Sequence, residues 1–370
     1  MTIAAPLAVD VGVERLEVSA YKIPTDEPES DGTLEWNDTT VVVVLAHAGG
    51  ATGLGYTYGD RAVATFITSL LRPEVEGTDA LAPPAAWISM QRAIRNAGRP
   101  GVGAMAVSAV DIALWDLKAR LLGLSLADAL PRVRRAVPVY GSGGFTSYSL
   151  ERLARQLAAW ADSGIPRVKM KVGREPGDDE SRIHAARDAI GARTELMVDA
   201  NGAYSRKEAL AWAEAFAAAG VTWLEEPVGS DDLSGLRLLR DRAPAGLEIA
   251  AGEYAWGLED LHRMLEAGAV DVLQADATRC LGITGFLQAA GLCLAHGVPF
   301  SAHCAPAVSA HAGCAMESLR HLEYFHDHVR AEGLLFDGTL APDRGRLEPD
   351  ASRPGLGIEL RRSEAARYAV

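Results

Sequence analysis

The sequence predicts an α/β protein organised around a closed parallel barrel, (β/α)7β, capped by a smaller α+β unit. Two observations carry that reading. From about residue 138, eight short apolar runs alternate with Ala/Leu-rich stretches of helical spacing, the pattern of a parallel sheet whose strands are linked by helices. Asp199, Glu225 and Glu253 each follow such a run at intervals of 26 and 28 residues, about the length of one strand, one helix and two loops. A chain of 370 residues accommodates a barrel of roughly 200 to 250 residues and one further unit.

The first 135 residues precede the repeat. Residues 11–23 and 39–46 (TTVVVVLA) read as strands, joined by PTDEPESDGTLEWND, a polar stretch expected to form a mobile specificity loop. The Gly-rich GGATGLGYTYGD is expected to form turns and to line a pocket, and residues 104–122 form a strongly apolar helix. The predicted barrel strands are PVYGSG, RVKMKVG, ELMVDAN, VTWLEEP, LEIAAGE, VDVLQAD, VPFSAH and RHLEY. Several intervening helices, such as ERLARQLAAWADSG and SRKEALAWAEAFAAAG, close on a Gly that suits a helix C-cap. The domain boundaries expected are 1–135 for the cap, 136–328 for the barrel, and 329–370 for a turn-rich tail that packs back on the cap. An open doubly wound sheet is the alternative, but it does not require eight strands.

Composition narrows the partners. A net charge of −13 and a pI near 5.2 argue against nucleic acid and anionic membranes. Cys280, Cys293, Cys304 and Cys314 have no CxxC or secreted-type spacing, so free thiols in a reducing cytoplasm are expected. No segment approaches eighteen uninterrupted apolar residues, and the N-terminus lacks a signal-peptide pattern.

Acidic oxygens converging at one rim of a barrel suit a hard divalent cation, most plausibly Mg²⁺. Lys169 and Lys171 lie two residues apart on the second strand and share a face. At roughly 7 Å they repel by about 2 kcal/mol at an effective dielectric near 20, which predicts a depressed pKa and a lysine able to act as a base. Asp276 and His303 end the sixth and seventh strands, 27 residues apart, where the carboxylate can fix the imidazole tautomer. Glu323 ends the eighth and, if protonated, can donate a hydrogen bond to a developing oxyanion. His303, Cys304, His311 and Cys314 superficially suggest zinc, but their segment reads as a strand running into a small-residue helix. His321, His326 and His328 are expected only to flank the eighth strand. Trp36, Tyr56 and Tyr58 read equally as pocket residues or as loop anchors.

Lys169-Met170-Lys171, Asp199-Ala-Asn-Gly, Glu225-Glu-Pro, Glu253, Asp276, His303 and Glu323 together resemble the mandelate racemase subgroup of the enolase superfamily, over nearly the whole chain. The resemblance implies a modified TIM barrel with a capping domain, one Mg²⁺ on Asp199, Glu225 and Glu253, and abstraction of the α-proton of a carboxylate substrate to a metal-stabilised enediolate. It implies Lys171 as a base with Lys169 beside it, His303 with Asp276 as the acid/base on the opposite face, and Glu323 as the electrophile. It offers Asn201 as a candidate contact to the substrate or to the ligands from behind, and Glu226 as a neighbour and not a ligand. It also implies a symmetric homo-oligomer.

Such a site supports either dehydration of an acid sugar to a 2-keto-3-deoxy acid or racemisation and epimerisation of a 2-hydroxy acid. The polar cap loop favours the first. A catalytically silent sugar-acid binding protein and a Schiff-base aldolase using Lys171 are readings from other classes.

Overall fold

The computed structural model describes residues 11–370. It opens with an antiparallel sheet of β1 (Arg15–Ser30), β2 (Glu35–Ala48) and β3 (Ala51–Tyr58). Alternation along β2 sends Val42, Val44 and Ala46 into a helical layer and Val41, Val43 and Leu45 toward the barrel. The sheet is therefore buried on both faces.

The long apolar helix, α1 (Val102–Leu121), lies against β3. A Cβ on Gly53 would stand 2.2 Å from the Ala113 carbonyl oxygen, and one on Gly55 2.2 Å from that of Ala109. Gly49 and Gly50 make the expected turn with positive φ, whereas Gly53 and Gly55 are strand residues that let a helix backbone approach a sheet. Buried Asp111 on α1 accepts from Thr284 N at 2.9 Å and Thr284 Oγ1 at 2.7 Å, tying the cap to the barrel.

The polar stretch expected as a loop is mostly hairpin. β1 runs on to Ser30 through a register shift between Pro24 and Glu29, and the turn is closed by Asp31 Oδ1, which accepts from Thr33 N and Leu34 N at 2.6 and 2.7 Å. Trp36 packs edge-on against Phe145, 5.6 Å between centroids, and Ser30 Oγ lies 2.6 Å from Thr146 Oγ1. Contacts from more than a hundred residues away hold it, and local polarity does not reveal them.

The barrel follows as β4 (Val137–Gly143), β5 (Arg167–Lys171), β6 (Glu195–Asp199), β7 (Val221–Glu225), β8 (Glu248–Ala251), β9 (Val272–Ala275), β10 (Phe300–Ala302) and β11 (Leu319–Phe325). Neighbours pair in parallel in that order, and β11 pairs with β4 to close the ring. Seven helices connect them: α2 (Leu150–Asp162), α3 (Pro176–Ile190), α4 (Arg206–Ala218), α5 (Leu233–Arg242), α6 (Leu258–Glu266), α7 (Gly282–His296) and α8 (Pro306–Gly313), with α9 (His326–Leu335) after β11. Ser149 caps α2, and a reciprocal Ser205–Glu208 box starts α4. Gly164, Gly220 and Gly268 take positive φ just past α2, α4 and α6.

Tyr140, Met197, Trp223, Ala250 and Val272 fill the barrel interior below the site. Past α9 the tail returns to the cap: Arg362 pairs with Glu17 at 2.7 Å, and the Val370 amide donates to Ala20 O. Arg346–Leu347 also adds an antiparallel pair to β4.

Candidate active site

Register builds the site. Lys171, Asp199 and Glu225 are paired rung to rung across β5, β6 and β7, so their side chains leave the ring at one level. Glu253, Asp276 and His303 stand just past β8, β9 and β10, while Glu323 lies within β11, two residues before its end. Backbone at this rim is unusual: Asn201, Glu226 and Cys304 have φ of 44°, 39° and 50°, conformations that non-glycine residues hold only where surrounding structure over-determines them.

All eight residues expected to carry chemistry come together. Asp199, Glu225 and Glu253 are buried, with one carboxylate oxygen from each lying within 4.8 Å of the others. Lys169 Nζ lies 2.6 Å from Glu225 Oε1, 2.8 Å from Glu323 Oε1 and 3.4 Å from Asp199 Oδ2. Lys171 Nζ donates to Asp199 Oδ2 at 2.5 Å. Across the mouth, His303 Nδ1 is 2.8 Å from Asp276 Oδ2, and Thr278 N and Oγ1 both donate to Asp276 Oδ1 at 2.7 Å. His303 Nε2 faces Glu253 Oε2 at 3.1 Å and Glu323 Oε2 at 3.4 Å.

Two electrostatic expectations are corrected by this packing. Burial and Lys169 both oppose the charged form of Lys171, but Asp199 outweighs them, so the protein's own charges raise its pKa. For Lys169, burial is likewise overcome by Glu225 and Glu323. Mutual repulsion between the lysines is present but is not the largest effect. Glu323 is held well below the carboxylate range, because burial, which opposes ionisation, is offset by Lys169, His303 and Lys171. These neighbours favour its ionised form, whereas donating a hydrogen bond to an oxyanion requires the protonated one.

The donor set fits a hard divalent cation. Asp199, Glu225 and Glu253 offer only oxygen. Burial, and then Asp199, push Glu225 up to about 8, while burial, Glu253, Asp199 and Glu225 drive Glu226 well above its ordinary value. Four crowded carboxyls outnumber the two ammonium groups beside them, and Glu226 Oε1 and Asn201 Oδ1 are buried without a protein hydrogen-bond partner. A divalent charge would offset this excess.

A cavity of about 250 Å³ stands between this cluster and the cap. Asn201 and Trp36 line it, as does Tyr58. Tyr56 does not: its side chain is fully buried and its hydroxyl donates to Glu332 on α9, so it braces cap against barrel. The sequence reading missed Arg279, which lines the cavity 3.5 Å from Glu253 Oε1 with its guanidinium over Tyr254, and Cys304, whose Sγ lies 3.3 Å from Glu323 Oε2. Both sit within three residues of the Asp276 and His303 strand ends, a proximity that could have flagged them. His328 does more than flank β11, since it lines the cavity in a face-to-face stack on Tyr58. His311 Nδ1 instead accepts from the Ala127 amide at 3.2 Å, and His321 pairs with Ser301 at 2.9 Å.

Comparison with known proteins identifies the family. Residues 152–365 match the enolase C-terminal domain-like family model, and residues 28–130 match that of the mandelate racemase/muconate lactonizing enzyme N-terminal domain. The chain is 33% identical over 367 residues to 3,6-anhydro-alpha-L-galactonate cycloisomerase of Streptomyces coelicolor, covering 97% of this chain and 99% of that one. It is 31% identical over 372 residues to L-talarate/galactarate dehydratase of Salmonella typhimurium, covering 96% and 90%. Among solved structures, a mandelate racemase/muconate lactonizing enzyme-like protein from Rubrobacter xylanophilus superposes with a TM-score of 0.96 at 69% identity, over 97% of this chain and 100% of that one. A racemase from Streptomyces coelicolor with bound magnesium superposes at 0.91 with 32% identity, over 97% and 100%. Among the described residues, no helix is long and apolar enough to cross a membrane.

Proposed function

The chain belongs to the mandelate racemase/muconate lactonizing enzyme group of the enolase superfamily, and we propose that it dehydrates an acid sugar to a 2-keto-3-deoxy acid with Mg²⁺ as cofactor. The observation that carries the α-proton chemistry is the placement of two proton-handling units, Lys171 and the His303–Asp276 pair, on different strands around one buried set of three carboxylates, and likeness to L-talarate/galactarate dehydratase favours dehydration over racemisation. Proton removal and leaving-group protonation can then be divided between two residues.

Asp199, Glu225 and Glu253 would hold the cation, which when bound supplies a fixed positive charge against the charge that builds on the substrate carboxylate. Lys171 takes the α-proton. Once Asp199 is engaged elsewhere, Lys171 loses its strongest anionic partner, and Lys169 then favours its neutral, basic form. Lys169 keeps Glu323 at 2.8 Å and contributes positive charge beside the reacting carboxylate. His303 is suited to begin as the acid. Burial opposes its charged form, but Glu323 and the Asp276 hydrogen bond, neither of them assigned to the cation, favour it. An imidazolium there can protonate a departing β-hydroxyl, with Asp276 fixing the ring through Nδ1. Glu323 is proposed to hold Lys169 and His303 in place across the mouth. The homo-oligomeric state and the cytoplasmic setting remain proposals from family resemblance and thiol usage.

Likeness to the cycloisomerase supports a second reading, in which the leaving group is a β-ether oxygen of an anhydro ring. The same base and acid serve, and the ring opens instead of releasing water.

The test is a panel of acid sugars, anhydro acids and 2-hydroxy acids with Mg²⁺, reading keto acid formation and α-proton exchange in deuterated water. Lys171→Ala is expected to abolish both. His303→Asn is expected to stop keto acid formation by about 10²- to 10⁴-fold while Lys171-dependent exchange continues. Inversion at the α-carbon with no keto acid from any substrate would show a racemase or epimerase instead.

A further inference from the structure

The cavity has two unlike ends. Its floor, at the barrel rim, carries the cations Lys171 and Arg279 with His303 beside them, together with the carboxylates Glu253 and Glu323. Its roof comes from the β1–β2 turn, β2, the end of β3 and the start of α9. There the lining includes Asp31, Asp38 and Asp327, and among the described residues it includes no lysine or arginine.

The roof carboxylates are not equivalent. Asp31 is spent on its own turn, accepting from two backbone amides. Asp327 is buried, held by Thr39 Oγ1 and by Arg330, whose NH2 lies 3.0 Å from Oδ1. Asp38 pairs with Lys22 at 3.0 Å, and both are substantially exposed. The cations that answer these acids lie outside the cavity lining, so a ligand meets the carboxylates first.

Beside them stands His328, buried and stacked on Tyr58 at 3.4 Å between centroids. Its Nδ1 is buried without a protein partner. Burial, opposed by Asp276, depresses its pKa to about 3, so the ring is neutral and offers hydrogen bonding without positive charge. Acceptor carboxylates and a neutral imidazole suit hydroxyl groups. A second carboxylate on the ligand would find like charge and no free cation.

We propose that the roof selects the substrate class: a polyhydroxylated monocarboxylic acid, open-chain or anhydro, whose single carboxylate lies at the barrel floor and whose hydroxylated end meets Asp38, Asp327 and His328, with dicarboxylic sugar acids rejected. This rests on the acid-sugar reading above and narrows it.

The experiment compares monoacid and diacid sugars of matched chain length and configuration, with Mg²⁺ present throughout, by keto acid formation and separately by ligand-induced thermal shift. Monoacids are expected to exceed matched diacids by about 30-fold or more in kcat/KM, the scale of one like-charge encounter a few ångströms apart at a partly solvated site. Asp38→Asn is expected to narrow that ratio. Diacids turned over as well as or better than monoacids would overturn the proposal and leave dehydration standing. No turnover of either class, with monoacids alone raising the melting temperature, would overturn dehydration and leave the selection standing. Equal thermal shifts from both classes would overturn the selection.

Discussion

Glu332 gives a sharp test of the interface between cap and barrel. It is buried on α9, accepts from Tyr56, and lies 3.4 Å from Tyr58 Oη; both tyrosines are on β3. Burial pushes its carboxyl from 4.5 to about 8, against the lowering effect of these hydrogen bonds. The folded protein therefore keeps a proton that the unfolded chain releases near pH 4.5. Stability from this group is fully present below pH 4.5, is lost as pH rises toward 8, and changes no further above that. Between pH 5 and pH 8.5 the loss comes to about 4 kcal/mol, or about 5 °C in Tm for a chain of this size. Glu332→Gln keeps the acceptor for Tyr56 and removes the titration. The assay is urea or thermal unfolding of both proteins across that range, taking the difference between their pH slopes. The wild type is expected to lose about 4 kcal/mol more than the variant. Parallel curves, or a steeper loss in the variant, would show that the carboxyl is not held protonated in the fold.

Two further outcomes follow from the site and the sheet. Chelation with excess EDTA is expected to abolish turnover, Mg²⁺ to restore it, and Glu225→Gln to raise the Mg²⁺ needed for half-maximal activity at least tenfold; full activity after exhaustive chelation would remove the metal from the scheme. Gly55→Ala places a Cβ 2.2 Å from the Ala109 carbonyl oxygen and 2.4 Å from Ala113 N. Both are backbone atoms of α1 that cannot rotate aside, so a loss of about 1 to 3 kcal/mol in urea unfolding is expected, and an unchanged midpoint would refute the close-packing account.

What the sequence revealed and concealed divides along a physical line. The β/α period was legible because every strand ends at the same rim, so Asp199, Glu225, Glu253, Asp276 and His303 recur at repeat spacing and the ring brings them together. Extent of structure was not legible where long-range contacts decide it. Pro24 to Trp36 looks like a loop by local polarity, yet Phe145 and Thr146 hold it as a hairpin. Gly53 and Gly55 look like turn residues, yet a helix backbone above them requires the missing Cβ. The charge state of the lysines escaped for the same reason. A two-residue spacing shows the Lys169–Lys171 repulsion, whereas the carboxylates that overcome it arrive from β6, β7 and β11.

Ring order explains why this site can divide proton removal from leaving-group protonation. Lys171 stands on β5 and His303 follows β10, three strands apart by way of β4 and β11 in a ring of eight. They therefore lie nearly across the mouth from one another. Along the other arc come Asp199, Glu225, Glu253 and Asp276 in sequence, while Glu323 on β11 bridges the short arc, its two oxygens facing Lys169 at 2.8 Å and His303 at 3.4 Å. In the proposed reaction a ligand anchored by its carboxylate over the central acids would meet Lys171 on one side and His303 on the other. Moving either group one strand along the short arc would leave them two strands apart and bring both toward the same side. A base and an acid so placed could exchange protons directly, and the β-oxygen would lose its donor. The separation of 23 to 28 residues between successive rim acids thus sets which group meets which face of the substrate.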